Sequence, residues 1–140
     1  MTEKTIDSFI QGLIATEPSL AWFGFEIEHA HQGAAIVTTI IRPEQINANG
    51  LAHGGVLFAL ADQSFAMAAN TVINFAVTTE AQIQYLAPAH LGDTVVAHGR
   101  VVYRDEKRVV VDVSLTIDKV VIALFRGTAR AARRQSATIT

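Results

Sequence analysis

The residues best suited to chemistry lie close together, in the stretch 47–70. Asn47 and Asn49 sit in a polar loop, His53-Gly54-Gly55 follows, and Asp62 stands inside an almost unbroken apolar run that ends at Asn70. Aspartate is a poor helix-interior residue because its short side chain competes for backbone hydrogen bonds. Its neighbours one helical turn away are Phe58, Phe65 and Ala66, so no nearby face is plainly wet. An ionised group there must be paired, hydrogen-bonded, or raised in pKa. Gly54 and Gly55 open the same helix, where backbone N–H groups lack intrahelical acceptors and the helix dipole favours negative charge. Glycine also lets a ligand approach the backbone closely. An acyl carbonyl docked there would find an oxyanion hole. The plain structural alternatives are a glycine-rich turn before a helix, and a buried aspartate capping a neighbouring backbone segment.

Asp62 lies eight residues beyond Gly54, roughly 12 Å along a helix at ~1.5 Å per residue. One carbonyl cannot reach both groups in a single chain. Either the two are unrelated, or a second subunit completes the site and a two-fold dimer carries two equal sites. Asn47 and Asn49 are able to donate to a carbonyl or hold a water, or to serve as turn residues. His53 could serve as a general base, but beside two glycines it equally suits a role in orienting the loop. Thr78 and Thr79 begin a strand and could position a water. His29 and His31 share one strand face, as metal ligands do, but no third ligand is in view and no metal is expected. No serine sits in a nucleophile-elbow pattern and no phosphate loop is present.

The elements that must carry these groups follow from the patterning. Ile6, Phe9, Ile10, Leu13 and Ile14 predict a short amphipathic helix over 6–15, stopped near Pro18. Strands are expected over 23–31 and 35–41, with Gly33 in the turn between them and Pro43 ending the second. After the long helix, strands are expected over 77–86, 94–103, 108–117 and 120–130. They are separated by short turns that include 104–107 and 118–119, and they read as a four-stranded antiparallel meander. A helix apolar on nearly every face must be wrapped. The expected class is therefore α+β, one curved antiparallel sheet around a long central helix. The sheet's opposite face or its edge would serve as the dimer surface.

At 140 residues the chain suits one domain spanning 1–140. Half the residues are apolar and 17% are charged, which favours burial of surface against further copies. A net charge of −2 leaves no basic field for nucleic acid, and Arg130, Arg133 and Arg134 read as a solvated tail. The absence of cysteine excludes disulfides, thiolate metal sites and thiol nucleophiles. The N-terminus lacks the design of a signal peptide, and no apolar run approaches the roughly 18 residues of a membrane span. A soluble cytoplasmic protein without membrane partners is expected.

The pattern Asn47-x5-His53-Gly54-Gly55-x6-Asp62, with the later Tyr85-Leu86-Ala87-Pro88, Leu91-Gly92-Asp93 and Ala123–Thr128 segments, resembles the hotdog-fold acyl-CoA thioesterases. The likeness is greatest to the PaaI-like, phenylacetate-type group. It implies that Asp62 is the catalytic carboxylate, as general base or nucleophile. It implies that the Gly54 N–H polarises the thioester carbonyl from the partner subunit. Asn47 would lie near the carbonyl or the attacking water, Thr78 would help hold water, and His53 matches the family histidine. It further implies an acyl-CoA substrate, either aryl-acetyl such as phenylacetyl- or hydroxyphenylacetyl-CoA or short- to medium-chain, no cofactor, and homodimers, often paired into tetramers. The substrate would then lie against Gly55 and in apolar space lined by Phe58, Phe65 and Met67. Basic residues among Arg104, Lys107, Arg108, Arg126 and Arg130 would meet the CoA phosphates. A non-catalytic acyl-CoA or acyl-lipid binding module on the same fold is the rival reading.

Overall fold

Gly54–Asn70 form the long helix α3, with the limits expected from the apolar run. The computed structural model describes residues 4–132, so Arg133 and Arg134 lie outside the described residues. Two short helices, α1 (Ser8–Ile14) and α2 (Pro18–Phe23), precede β1 (Glu26–His31) and β2 (Ala34–Ile40). A 3-10 turn (Pro43–Gln45) leads toward α3. After α3 come β3 (Ala76–Tyr85), β4 (Thr94–Arg104), β5 (Arg108–Ile117) and β6 (Val120–Ala131). Among the described residues no helix is long and apolar enough to cross a membrane.

Two of these elements depart from expectation. The segment from Phe23 does not begin a strand, because residues 18–23 form α2. Its Pro18 is the pre-organised first residue of a helix rather than the end of one, and Gly24 stops it in the left-handed conformation at φ 79°. Ile6 is not helical. It bridges Ala30 in parallel, and the Ala30 N–H donates to the Thr5 carbonyl at 2.8 Å, which covers the free edge of β1.

The six strands form one antiparallel sheet in the order β1-β2-β4-β5-β6-β3. The meander is therefore three strands, β4 to β6, and not four. Helix α3 carries the chain across the sheet, so β3 pairs with β6 from Ala76↔Ala131 to Tyr85↔Ala123. The eight residues 86–93 then bring it back, which allows β4 to pair with β2 from Ala34↔Arg100 to Ile40↔Thr94. That return crosses three strand spacings, about 14 Å, well within the reach of eight extended residues. The two tightest hairpins use left-handed residue pairs, Gln32-Gly33 and Asp118-Lys119. Positive φ at both central positions matches the right-handed twist of the flanking strands. In the longer turn, the Asp105 carboxylate accepts from the Lys107 and Arg108 N–H groups at 2.9 and 2.7 Å.

Inward-facing Ala35, Val37, Val95, Ala97, Val111, Val113, Leu115, Ala123 and Phe125 build the sheet side of the core against α3. The helix sits down on two glycines. A Cβ at Gly99 would lie 2.6 Å from the Ser64 hydroxyl, and one at Gly127 would lie 2.8 Å from the Phe65 ring. The buried Ser64 hydroxyl is within reach of the Ala35 and Ala97 carbonyls, at 3.2 and 3.3 Å. At the far end of α3, the Asn70 side chain donates to Ala66 and accepts from the Ala76 N–H, which ties the helix C-terminus to the start of β3. The irregular alternation of 35–41 has a simple cause. Ile36 and Ile40 face away from the helix, on the outer surface of the sheet, while Ala35, Val37 and Thr39 face in.

Gly127→Ala forces α3 and the sheet apart or drives Phe65 off its rotamer, at a cost of about 1–3 kcal/mol. Urea unfolding of the variant should show a lower midpoint with an unchanged m-value.

Candidate active site

Helix α3 holds Asp62 partly buried between Phe58 and Phe65, whose rings both approach Phe125, at 5.4 and 5.7 Å. No hydrogen bond to the Asp62 carboxylate forms among the described residues, so it caps no described backbone segment. Burial raises its pKa, and the negative charge of Glu17 raises it further. Glu17 occupies the N-cap position of α2, and its side chain makes no capping hydrogen bond there. Glu17 was not singled out from the sequence, because its nearness to Asp62 depends on a helix that the patterning did not reveal.

Eight residues earlier, the start of α3 is fixed from two sides. The His53 imidazole Nδ1 accepts the Gly55 N–H at 2.8 Å and its carbonyl accepts the Val56 N–H at 2.9 Å, so His53 is the N-cap. An Nδ1 that accepts a backbone N–H leaves the proton of the neutral ring on Nε2. The other ring nitrogen is then a donor, and the imidazole is tied to the helix start through the Gly55 N–H. From β3, the Tyr85 hydroxyl donates to the Gly54 carbonyl at 2.7 Å. The Gly54 N–H is left without an acceptor among the described residues. It is an unengaged donor at a helix N-terminus, where the dipole adds to it.

Asn47 uses its side-chain oxygen locally, accepting the Asn49 and Leu51 N–H groups at 2.9 and 3.2 Å. Its amide NH2 has no partner among the described residues, so the side chain is set up to donate outward. Thr78 lies on the helix side of β3, opposite Ala129, and is exposed. The neighbouring Thr79 is the bulged residue and donates to the Thr128 carbonyl at 3.2 Å. Gly55 is exposed and Phe58 half-buried. Phe65 and Met67, expected to line the acyl space, are instead closed within the core at 0% and 2% exposure. The reason lies in the fit against Gly127, which draws the Phe65 ring onto the sheet.

A cleft of about 660 Å³ lies on the outer face of the sheet, lined by residues including His98, Arg100, Asp112, Ser114 and Arg126. It contains neither Gly54 nor Asp62. There Arg126 holds Asp112 in a bidentate pair at 2.5 and 2.8 Å, which depresses the carboxylate's pKa. His29 and His31 secure the N-terminal segment: His29 Nδ1 accepts the Thr5 N–H at 2.9 Å and His31 Nδ1 meets Asp7 at 2.5 Å. Of the other basic residues, Arg104 donates to the Val72 carbonyl at 3.3 Å and Arg108 lies 3.6 Å from Asp105.

Residues 49–123 match the thioesterase superfamily. The chain is 34% identical over 105 residues to the acyl-coenzyme A thioesterase PaaI of Escherichia coli, covering 74% of this chain and 75% of that protein. The solved structure of the E. coli PaaI protein from the phenylacetic acid degradation operon superposes with a TM-score of 0.86 at 29% identity, over 89% of this chain and 91% of the other. A Streptococcus mutans protein solved with acetyl CoA superposes with a TM-score of 0.75 at 33% identity, over 80% and 91% of the two chains.

The raised pKa of Asp62 has a consequence for stability. A carboxyl whose folded pKa exceeds its unfolded one destabilises the fold once it must ionise, so the deficit grows as pH rises from the unfolded toward the folded value. Asp62→Asn should therefore unfold at a higher urea concentration than wild type at neutral pH. The gain should vanish below the ordinary aspartate range, where the wild-type side chain is protonated in both states. A loss of stability at neutral pH would instead mean that groups outside this chain hold the ionised carboxylate.

Proposed function

The chain belongs to the thioesterase superfamily and is a thioester hydrolase, and on that premise we propose that residues 1–140 act as one domain that hydrolyses acyl-CoA, with a site shared between two subunits. One observation carries this reading. The unengaged Gly54 N–H and the unpaired Asp62 carboxylate lie on one helix, eight residues apart. At roughly 12 Å they cannot act on the same carbonyl from one chain.

In the proposed reaction, Asp62 of one subunit takes a proton from water as the water oxygen attacks the thioester carbonyl. The Gly54 N–H of the other subunit receives the developing oxyanion, with Asn47 donating nearby and Thr78 holding the water. Collapse of the tetrahedral intermediate breaks the C–S bond, and the proton on Asp62 passes to the leaving CoA sulfur. A carboxylate with a raised pKa is a stronger base, which suits it to this step. The aryl-acetyl thioesters, phenylacetyl- and hydroxyphenylacetyl-CoA, are the proposed substrate class. Support comes from the operon of the E. coli relative and from the half-buried Phe58, edge-on to Phe125, beside the proposed site. Lys107 and Arg130, which have no ion-pair partner among the described residues, are the proposed contacts of the CoA phosphates.

The edge of β3 suits the dimer contact. Its ten residues pair on one side with β6 alone, whereas the edge of β1 is covered by the N-terminal segment. Helix α3 runs antiparallel to β3, anchored by Gly54 to Tyr85 and by Asn70 to Ala76. For Gly54 of one chain to stand level with Asp62 of the other, the two-fold axis must cross α3 near Phe58, midway between them. Interpolating between the two anchors puts that level at about Gln82–Ile83 on β3, given the rises of helix and strand. Exposed Ile40, Val102 and Leu124 on the outer face of the sheet suit a second contact that pairs dimers into tetramers.

Asp62→Asn should retain the fold and lower kcat by about 10²–10⁴-fold, the range for loss of a general base, measured as thiol release from an acyl-CoA panel. Undiminished hydrolysis would remove Asp62 from the mechanism, whereas acyl-CoA binding without turnover by the wild type would favour the binding-module reading. The chain has no cysteine, which makes single-cysteine crosslinking clean. Disulfide-linked dimers should form best with cysteine at 81–84 and poorly with Val77→Cys, while an even yield along β3 would refute the proposed axis.

A further inference from the structure

Gly54 opens α3 in a site that depends on where its N–H points. First-turn residues have no preceding turn to hold them, and adjacent glycines carry the largest backbone freedom in the chain. His53 restrains the peptide after Gly54 through the Gly55 N–H. The His53 carbonyl, which accepts the Val56 N–H at 2.9 Å, restrains the peptide before Gly54. A further restraint comes from 31 residues away, where the Tyr85 hydroxyl donates to the Gly54 carbonyl at 2.7 Å. The ring is packed as closely as the hydrogen bond suggests. A Cβ at Gly54 would lie 3.2 Å from the Tyr85 hydroxyl oxygen and 3.3 Å from the ring carbon that bears it. Tyr85 is the last residue of β3 and lies on its helix side, opposite Ala123.

We propose that Tyr85 is a positioning residue for hydrolysis: by holding the Gly54 carbonyl it aims the Gly54 N–H at the substrate oxygen. This rests on the reading of Gly54 as the oxyanion donor. Tyr85 itself touches no reacting atom. Its hydroxyl and the His53 imidazole hold the two ends of one peptide, the Gly54 carbonyl and the Gly55 N–H, and the Gly54 N–H that the reaction uses is left free among the described residues. Burial holds the Tyr85 pKa above the ordinary tyrosine range, so the hydroxyl remains a donor at neutral and moderately alkaline pH. Because β3 is also the open edge of the sheet, the donor is tied to the strand at which a second subunit would pair.

The test compares Tyr85→Phe, which keeps the ring against Gly54 and removes only the hydroxyl, with Asp62→Asn on the same acyl-CoA substrate. Tyr85→Phe should lower kcat about 10- to 100-fold, the penalty for a misaimed catalytic group. KM, and inhibition by free CoA, should stay within about twofold, since hydrolysis and not binding depends on the aim of the donor. Thermal unfolding of each variant is recorded alongside. A wild-type kcat in Tyr85→Phe, with Asp62→Asn inactive, overturns the positioning role and leaves the site intact. A rise in KM alone would make Tyr85 a substrate contact, and a kcat loss that disappears below a lowered Tm would make it structural. Either result overturns the proposal. Wild-type turnover in Asp62→Asn would instead overturn the shared-site reading on which it rests.

Discussion

Everything in this molecule accommodates one helix that has no wet face to spare. Along α3, Leu57, Leu60, Ala61, Phe65, Met67, Ala68 and Ala69 are all buried. A helix so apolar cannot lie on a flat sheet with one side in water, so the strands must curve around it. The curvature brings the sheet backbone onto Ser64 at Gly99 and onto the Phe65 ring at Gly127, where neither position has room for a side chain. The polar Ser64 is admitted at the same contact because the Ala35 and Ala97 carbonyls lie in its reach.

Within that apolar setting the two chemically unusual groups of α3 are both unmet among the described residues. A buried carboxylate without hydrogen bonds is costly, and a helix N-terminal N–H without an acceptor is a donor left open. Structures carry such groups where something else completes them. The groups around the Gly54 N–H are each engaged: Gly55 by His53, the Gly54 carbonyl by Tyr85, and the Asn47 oxygen by its own loop. The local hydrogen bonds thus occupy these neighbours and leave the Gly54 N–H open beside the Asn47 amide NH2 among the described residues.

The long helix was legible to its terminal residues, because an apolar run between Gly54-Gly55 and Asn70, broken only at 62–64, leaves little else to form. Strand β5 was equally plain, framed by two charged turns. Helix α2 was not, since six residues are too few to display a helical period, and its signals were only Pro18 and Gly24 at the ends. The position of β3 was also hidden. Local turns argue for pairing each strand with the next, whereas the pairing with β6 depends on where α3 delivers the chain. For the site, Asp62 and Gly54 announced themselves as misfits of type and place. Glu17 and Tyr85 did not, because a glutamate before a proline and a tyrosine at a strand end are ordinary until the fold carries them to Asp62 and Gly54.

The amino-acid sequence by itself determined that a carboxylate would be stranded on an apolar helix and that a glycine donor would stand a fixed distance from it, because helical rise converts residue count directly into length. It also determined the α+β class, through the change of period after Asn70. Only the tertiary structure decided which polar groups around that helix were already spent, since hydrogen bonds between residues 31 positions apart depend on sheet order and not on local pattern. It likewise decided that Phe65 and Met67 belong to the core while Phe58 stays half-buried, because packing against Gly127 and Phe125 sets which faces of a uniformly apolar helix are closed.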